Sequence, residues 1–235
     1  MSFFSIVVPM YNEEKVAKKC IEKILKVISK VNLKGHLIVI NDGSNDKTQE
    51  VCEKFKLNNF HLITHKINKG YGASTQTAIK FAKKKFKYLL YMDSDLTNSP
   101  NDIPKFFKKM KENFDLIKGT RFISGGGYLK NVPMQRRIIS YFGNKIAKYL
   151  FNSKLSDITN GFRAVKISHL KKRVFKQNDF SIIMEEFYYL KKKKTKFVEI
   201  PVVLGSRNNS ESKFNYNLTT YINYLKYPLK YLLKL

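Results

Sequence analysis

Two carboxylates follow directly on a buried strand near the middle of the chain. Residues 88–92 (Tyr-Leu-Leu-Tyr-Met) are apolar and of strand length, and Asp93-Ser94-Asp95 comes next. Because side chains on a strand alternate between faces, Asp93 and Asp95 point the same way. Ligands of open α/β sheets collect at such strand ends. The spacing therefore predicts a site for Mg²⁺ or Mn²⁺ that also takes phosphate oxygens, although a solvated loop with a helix cap would use the same residue types.

The first half of the chain alternates between strand-like and helix-like segments. Continuous apolar runs at residues 3–8, 36–41, 60–64 and 88–92 predict four strands, and apolar residues at helical spacing fill the gaps between them. Asn12 precedes the first helical segment and is expected to cap it. An alternation of this kind predicts parallel strands joined by right-handed crossovers.

The order of elements changes after residue 115. A short strand is predicted at residues 115–118, and a glycine-rich loop follows at residues 125–127. A helix over residues 135–151, a second helix near 180–194 and a strand near 196–203 complete this half. The predicted fold class is α/β, with a mainly parallel sheet flanked by helices.

The last segment, residues 217–235, is predicted to be an amphipathic helix. Apolar side chains share one face and lysines form a second stripe, with tyrosines between them. Pro228 is expected to kink this helix or to divide it in two. Two interpretations stay open: a helix that lies on a membrane surface, and a helix packed on its own domain. The apolar and basic positions are Leu218, Ile222, Leu225, Leu229, Leu232, Lys226, Lys230 and Lys234.

The chain is strongly basic, with 45 Lys and Arg residues against 18 Asp and Glu residues and a formal net charge of +27. The electrostatic field of so basic a chain attracts polyanions, such as nucleic acid, anionic lipid headgroups or a phosphorylated substrate. Enrichment in lysine is also what an AT-rich genome produces. Nucleic-acid binding is set aside because the lysines are dispersed and no binding module is recognised.

The cysteines, the N-terminal residues and the hydropathy of the chain together indicate the cellular compartment in which the protein works. Cys20 and Cys52 lie in helical patterns without a CxxC spacing, which is typical of buried thiols in a reducing compartment. The N-terminus does not resemble a signal peptide, and no uncharged run approaches the roughly 20 residues that span a bilayer. We therefore expect a cytoplasmic protein, either soluble or peripheral on the cytoplasmic face of a membrane.

Seven short motifs follow one another in a distinctive order along the chain. They are residues 8–14 (Val-Pro-Met-Tyr-Asn-Glu-Glu), 41–44 (Asn-Asp-Gly-Ser), 93–95 (Asp-Ser-Asp), 119–121 (Gly-Thr-Arg), 157–163 (Asp-Ile-Thr-Asn-Gly-Phe-Arg), Glu185 and 211–214 (Glu-Ser-Lys-Phe). In this order the motifs resemble those of the inverting family-2 glycosyltransferases with a GT-A fold. Within that family they are most similar to the polyprenyl-phosphate mannose and glucose synthases.

This resemblance implies a domain organisation and a reaction. It implies a GT-A domain over residues 1–216, with a nucleotide-binding half at 1–118 and an acceptor half at 119–216, followed by the helical segment 217–235. It also implies a metal-dependent enzyme that moves a hexose from GDP-mannose, or alternatively from UDP-glucose, to a polyprenyl phosphate. Mg²⁺ or Mn²⁺ would be the cofactor, and a membrane surface and a separate membrane subunit are expected partners.

The resemblance further implies roles for individual residues. The nucleotide-sugar set is Pro9, Tyr11, Glu13, Ile40, Asp42, Asp93, Ser94, Asp95, Arg121, Glu185, Arg207 and Lys213. The metal set is Asp93, Asp95 and Thr97, and the acceptor-phosphate set is Arg121, Arg136 and Ser140. Asp95, Arg121 and Arg136 form the catalytic set. Arginine suits the acceptor role because a guanidinium group binds phosphate oxygens bidentately.

Some of these residues have an alternative interpretation. Glu13 is also a favourable acid for the first turn of a helix. Glu186 competes with Glu185 for the position near the sugar. Asp157 and Arg163 are interpreted as a structural pair that fixes their loop.

Three further features are interpreted as structural. The glycines of residues 68–72 resemble a phosphate cradle, but we interpret them as sites of close backbone packing. Arg137 should face about 100° away from Arg136 on a helix, and is therefore excluded from the acceptor set. The four histidines have no metal-ligand spacing and none is assigned a catalytic role.

The identity of the acceptor depends on whether a base is present. A lipid phosphate is already anionic and needs none, whereas a sugar hydroxyl in glycan assembly needs a carboxylate. Residues 122–151 contain no Asp or Glu. This absence favours the phosphate, although Asp157 or Glu185 could still serve as the base.

Overall fold

The computed structural model describes residues 2–30, 34–206 and 218–234, and its framework is a seven-stranded sheet with a separate strand pair. The strands are β1 (Ser2–Met10), β2 (Gly35–Asn41), β3 (Phe60–Thr64), β4 (Phe86–Tyr91), β5 (Leu116–Thr120), β6 (Gly127–Tyr128), β7 (Arg163–Lys166), β8 (Phe197–Pro201) and β9 (Val203–Leu204). The order in the large sheet is β3-β2-β1-β4-β7-β5-β8, and β6 pairs with β9. The strands predicted from apolar runs are all present.

Helices cover both faces of the large sheet. They are α1 (Glu14–Lys30), α2 (Thr48–Glu53), α3 (Tyr71–Ala82), α4 (Ile103–Lys111), α5 (Met134–Leu150), α6 (Ile182–Lys192) and α7 (Leu218–Leu232). Two hydrophobic cores result. One packs α3, α5, α6 and α7 on the sheet, and the other packs α1 and α4 on the opposite face. The predicted α/β class, with a mainly parallel sheet flanked by helices and a C-terminal helix, is confirmed.

The sheet is mixed because of one strand. β7 runs antiparallel to both of its neighbours, β4 and β5, whereas the other pairs in the large sheet are parallel. β1 pairs with β2 through Met10 and Asn41, and with β4 through Val7 and Tyr91. The carboxyl ends of these three strands therefore lie side by side, which brings the loops that follow them to one edge.

Asn12 does not cap α1 with its side chain, so this prediction is wrong. Its Oδ1 accepts a hydrogen bond from the backbone N–H of Asn45 at 2.8 Å, and its own N–H donates to Ser44 Oγ at 3.0 Å. Its φ of 53° is left-handed, a conformation that asparagine tolerates better than most residues. Asn12 therefore ties the loop after β1 to the loop after β2.

Pro228 does not divide the C-terminal helix, which runs as one element over Leu218–Leu232. Tyr227 and Pro228 are buried and α7 packs against α5 and α6, while Leu218, Ile222 and Leu232 are half or more exposed. Packing on both sides of the proline holds the helix together although one N–H is missing. One side of α7 thus packs on the domain, and the other presents apolar side chains outward. None of the helices in the described ranges is long and apolar enough to cross a membrane.

Two histidines share a hydrogen bond near the amino ends of the neighbouring strands β2 and β3. His36 Nδ1 lies 3.0 Å from His61 Nε2, and the ring planes differ by only 2°. The ring centroids are 5.2 Å apart, so the imidazoles lie end to end rather than face to face. One ring must donate and the other accept, which requires at least one neutral imidazole. Burial lowers the pKa of both histidines, and the nearby His36 and Lys85 lower the pKa of His61 further.

We expect this pair to make stability depend on pH. A histidine whose pKa is lower in the folded state contributes stability above its unfolded pKa of about 6.5, and that contribution is lost as the pH falls through the folded value. The urea midpoint of the wild type should therefore decline between pH 7.5 and pH 5, and less so in a His36→Gln, His61→Gln double variant. Parallel profiles for the two proteins would contradict this expectation.

Candidate active site

A cavity of about 810 Å³ lies at the carboxyl ends of β1, β2 and β4. We call it the strand-end cavity. Pro9, Tyr11, Glu13, Asp42, Asp93, Ser94 and Asp95 all line it. The structure thus brings together most of the predicted nucleotide-sugar set. Ile40 is different, because its side chain is fully buried in the hydrophobic core and does not reach the cavity wall.

Asp42 is held rigidly in the wall of the strand-end cavity. Its Oδ1 accepts from the N–H of Lys69 at 3.0 Å and lies 2.6 Å from His65 Nδ1, and its Oδ2 accepts from the N–H of Gly70 at 2.7 Å. His65 Nε2 in turn lies 2.9 Å from Thr77 Oγ1. His65 was set aside with the other histidines, but its position directly after β3 was the signal that could have placed it at this edge.

Glu13 combines two structural contacts with a place in the wall. Its N–H donates to Thr48 Oγ1 at 2.8 Å, and its carbonyl accepts from Val16 and Ala17 in the first turn of α1. These bonds fix the backbone, while the side chain lines the strand-end cavity. Glu13 can therefore stabilise the first turn of α1 through its backbone and bind a ligand through its carboxylate.

Asp93 and Asp95 both lie on the wall of the strand-end cavity, as expected. The turn after β4, rather than alternation along the strand, places them there, since β4 ends at Tyr91 and Ser94 lines the cavity too. Asp95 Oδ1 accepts from both the N–H of Thr97 at 3.0 Å and its hydroxyl at 2.8 Å. Thr97 thus orients Asp95, and it does not line the strand-end cavity itself. Its role as a metal ligand, which the resemblance implied, stays a prediction.

Two carboxylates supply only some of the oxygen ligands that a hard divalent cation needs. Within the described ranges, no group of three or more His, Cys, Asp or Glu side chains is arranged to hold a metal. Mg²⁺ and related ions are commonly bound by one or two carboxylates, with substrate phosphates and water completing the shell. The oxygen donors of Asp93 and Asp95 fit that arrangement.

The N-terminus of α3 packs against a distant segment of chain. A Cβ on Gly72 would lie 2.3 Å from the carbonyl oxygen of Gln177, and the Gly72 N–H donates to the Asn178 carbonyl at 2.7 Å. Tyr71 stacks on Phe180 with ring centroids 4.4 Å apart. This supports the interpretation of residues 68–72 as close backbone packing. Residues 177–180 complete the cavity wall, and no sequence pattern singled them out.

A second cavity, of about 510 Å³, lies between α5 and α7, and we call it the helix groove. Its walls are mostly apolar, and Arg121, Arg136 and Ser140 line it. Among the described residues that line it, Asp93 is the only acid. Asp93 and Phe180 line both cavities, so the groove and the strand-end cavity meet there. The apolar and aromatic lining residues of α5 and α7 are Ile138, Ile139, Phe142, Ile146, Ala147, Tyr221, Tyr224, Leu225 and Pro228.

The predicted pair between Asp157 and Arg163 is wrong, because each residue has another partner. Arg121 donates from Nε and Nη2 to the two carboxylate oxygens of Asp157, both at 2.7 Å. Arg163 donates from Nε to Glu186 at 2.6 Å and from Nη2 at 3.3 Å. The first pair holds Arg121 at the wall of the helix groove, and the second lies fully buried beneath it.

Lys118 is a buried cation that the sequence analysis did not identify. It is 1% exposed, and its Nζ donates to the carbonyl oxygens of Ile158, at 2.9 Å, and of Asn160. Burial lowers its pKa to about 7, with the nearby Arg163 adding to the effect. Its contacts fasten the loop whose residues Thr159, Asn160 and Gly161 line the helix groove.

Glu185 lies away from both cavities. It is fully buried, and it accepts hydrogen bonds from the backbone N–H groups of Lys176 and Gln177 at 2.9–3.0 Å. It therefore anchors the segment that forms the cavity wall. Arg137 donates to the carbonyl of Leu129 at 2.7 Å, on another side of α5 from the groove. Arg207 and Lys213, and the motif at residues 211–214, lie outside the described residues.

Comparison with known proteins gives both family and fold similarities. Residues 5–174 match the sequence model described as Glycosyl transferase family 2. An uncharacterized protein of Methanocaldococcus jannaschii is 32% identical over 181 residues, which is 72% of this chain and 74% of that protein. Dolichol-phosphate mannosyltransferase of Pyrococcus furiosus is 27% identical over 212 residues, covering 89% of this chain and 58% of the relative.

Among solved structures, glucosyl-3-phosphoglycerate synthase from Mycobacterium tuberculosis has a similar fold. The structure of its complex with Mn²⁺, uridine-diphosphate-glucose and phosphoglyceric acid superposes with a TM-score of 0.66 at 16% identity. The similarity covers 99% of this chain and 79% of that one. At this level of identity the similarity shows a shared fold, the GT-A-like arrangement of sheet and helices.

Proposed function

The chain belongs to glycosyl transferase family 2, and from this premise we propose that it transfers a hexose from a nucleotide-diphosphate sugar to a polyprenyl phosphate. GDP-mannose is the favoured donor, because the Pyrococcus furiosus relative is a dolichol-phosphate mannosyltransferase. UDP-glucose is the alternative, since uridine-diphosphate-glucose is bound in the structurally similar synthase. Transfer would invert the configuration of the anomeric carbon.

The strand-end cavity is proposed to hold the donor nucleotide. A volume of about 810 Å³ falls in the range of nucleotide and cofactor pockets. Tyr11 offers an aromatic face for a base, and Glu13 and Asp42 offer carboxylates to base or ribose hydroxyls. The contacts of Asp42 with His65, Lys69 and Gly70 keep this acceptor in one orientation before the donor arrives.

Asp93 and Asp95 would hold Mg²⁺ or Mn²⁺, with Thr97 orienting Asp95. A divalent cation there neutralises the charge that develops on the departing nucleoside diphosphate. Mn²⁺ is present with uridine-diphosphate-glucose in the structurally similar synthase, which supports a divalent cation without choosing between the two. Arg207 and Lys213 stay predicted contacts of the diphosphate.

The observation that carries the choice of acceptor is the absence of an available base in the described wall of the helix groove. Asp93 is the only acid lining it, and the metal assignment already uses Asp93. Of the other proposed bases, Asp157 is engaged by Arg121, and Glu185 by two backbone N–H groups. A sugar hydroxyl would need a base, whereas a lipid phosphate would not.

The groove suits both ends of a polyprenyl phosphate. Arg121, Arg136 and Ser140 supply cationic and hydrogen-bonding groups for the phosphate, and the apolar side chains of α5 and α7 supply a surface for an isoprenoid chain. A phosphate oxygen would attack the anomeric carbon from the side opposite the diphosphate. The new bond to carbon forms as the bond to the diphosphate oxygen breaks, and the nucleoside diphosphate leaves with the electron pair.

Domain roles follow from this assignment. We assign residues 1–118 to the donor and residues 119–216 to the acceptor, with α7 in the segment 217–235 completing the groove. Ile138 and Phe142 on α5 and Ile222 on α7 are strongly exposed, and the net charge is +27. A peripheral position on the cytoplasmic face of a membrane with anionic headgroups would cover these side chains and deliver the lipid. A separate membrane subunit is a further proposed partner.

A transfer assay tests the proposal. Purified protein would be given Mn²⁺ or Mg²⁺, a short-chain polyprenyl phosphate and a panel of GDP- and UDP-sugars. We expect metal-dependent formation of a polyprenyl-phosphate hexose, most rapidly from GDP-mannose. Donor binding without transfer to the lipid, together with transfer to a glycan hydroxyl, would replace the lipid acceptor with the second reaction class.

A further inference from the structure

We propose that Asn98 binds a hydroxyl group of the donor's hexose and so helps to select the sugar. The proposal rests on the function proposed above, because it places the hexose where the strand-end cavity meets the helix groove. Asn98 lies in the loop after Asp95, on the wall of the groove, and is 1% exposed. No motif of the sequence pointed to it.

The carbonyl oxygen of the Asn98 side chain lacks a hydrogen-bond partner in the described part of the chain. Its Oδ1 is buried, and no protein group donates to it. Burying such an oxygen costs free energy unless something donates to it, so native structures seldom contain one without a reason. Five other described side chains have a comparable atom, but Asn98 is the one among them that lines the helix groove. Because Asn98 lines the groove, we infer that a ligand there supplies the missing bond, with a small turn of the side chain that brings the oxygen to the groove surface.

The unpaired Oδ1 of Asn98 can bind only those groups in the groove that donate a hydrogen bond. A side-chain carbonyl oxygen only accepts, and neither an ionised phosphate nor an isoprenoid chain has a proton to donate to it. A sugar hydroxyl donates and accepts. If the amide turned by half a rotation, its NH₂ would face the same space, and a hydroxyl oxygen could then accept from it. A hexose hydroxyl satisfies Asn98 in either orientation.

The position of Asn98 agrees with the expected path of the sugar. In the proposed reaction the hexose lies between the diphosphate in one cavity and the acceptor phosphate in the other. Asp93 lines both cavities, so the hexose should lie near it. Gly161 lies beside the same carboxylate, because a Cβ on it would be 3.5 Å from Tyr71 Oη and 3.7 Å from Asp93 Oδ1. Asn98 and Gly161 both line the groove, so Asn98 offers its polar contact next to the point where the two cavities meet.

The test compares deoxy donors in the wild type and in Asn98→Leu, which keeps the branched shape of the side chain and removes the amide. A site that hydrogen-bonds a substrate hydroxyl strongly rejects the analogue that lacks it. We expect the wild type to use one of the 2-, 3-, 4- and 6-deoxy forms of its best donor at least about a hundredfold less efficiently than the parent. Asn98→Leu should lose about that factor on the parent donor and no longer distinguish it from that one deoxy form.

Two controls separate this role from a structural one. Asn101→Leu, at an exposed position in the helical turn that follows this loop, should keep the wild-type discrimination. The KM for polyprenyl phosphate should be unchanged in Asn98→Leu. Should Asn98→Leu fail to fold, Asn98→Asp keeps the accepting oxygen and should preserve the discrimination at a reduced rate. Equal losses on all donors, a raised KM for the lipid, or an Asn98→Asp enzyme without discrimination would overturn the proposal.

An error in the proposed transfer reaction can be distinguished from an error in the role of Asn98. If the wild type uses another acceptor, the lipid assignment is wrong, but the deoxy comparison applies unchanged to that reaction. If no transfer is seen, calorimetric binding of the parent and deoxy donors to the wild type and to Asn98→Leu gives the same comparison. Donors that bind equally to both proteins, with the same order of affinities, would overturn the role of Asn98.

Discussion

Asp95→Asn should reduce transfer by about a thousandfold while the protein stays folded, because a neutral amide is a poor ligand for a hard divalent cation. The amide oxygen can still accept from Thr97, whose N–H and hydroxyl now donate to Asp95 Oδ1. The local backbone should therefore keep its shape. The measurement is the initial rate of transfer as a function of Mn²⁺ concentration, alongside the thermal midpoint.

A matched control lies close by. Asp102→Asn changes another carboxylate in the same stretch of chain, but Asp102 pairs with Lys105 and lines neither cavity. It should keep its activity. In the wild type, Mn²⁺ with a nucleoside diphosphate should raise the thermal midpoint, and this rise should be absent in Asp95→Asn. An Asp95→Asn enzyme with the wild-type rate would refute the metal assignment.

Glu186→Gln should lower the free energy of unfolding by about 3 kcal/mol or more, because it leaves a buried guanidinium without its counter-charge. Arg163 and Glu186 are each 1% exposed and form two hydrogen bonds. The Arg163 Cζ also lies 4.2 Å from the centre of the Tyr91 ring, so the cation is enclosed by protein. Urea denaturation monitored by circular dichroism gives the change directly.

Two variants test whether burial is the reason. Glu112→Gln removes the carboxylate of the exposed pair with Lys109 and should cost less than about 1 kcal/mol. An Arg163→Met, Glu186→Leu double variant removes both charges and should recover much of the loss, as replacement of a buried pair by apolar residues commonly does. A cost for Glu186→Gln no greater than that for Glu112→Gln would show that water reaches the pair.

The sequence was informative where chemistry is local. The apolar run before Asp93 predicted the strand, but the two carboxylates reach the strand-end cavity from the turn after Tyr91, where Ser94 between them lines the cavity too. The strand ends at Tyr11 and Asp42 came together because parallel strands align their carboxyl ends. Even there, Asn12 departed from its expected role, since the loop after β2 competes successfully for its side chain.

Contacts between distant residues could not be predicted in the same way. Asp157 is only six residues from Arg163 in sequence, yet it binds Arg121, 36 residues away, while Arg163 binds Glu186. Choosing among such partners requires the register of β5, β7 and α6, which local patterns do not contain. The wall formed by Gln177 and Asn178 escaped detection for the same reason, since it depends on docking against the start of α3.

The antiparallel strand β7 has a consequence for how the chain is made. Among the described strands, β5 pairs only with β7 and β8, and β4 reaches β5 only through β7. A ribosome that has released the chain as far as β5 has therefore produced a strand with no partner, beside an open edge at β4. Such edges invite pairing between nascent chains, and closing them requires contacts of high sequence separation. The sheet can be completed only after β8 (Phe197–Pro201) has been made, so delay or truncation before that point should yield aggregated rather than half-active protein.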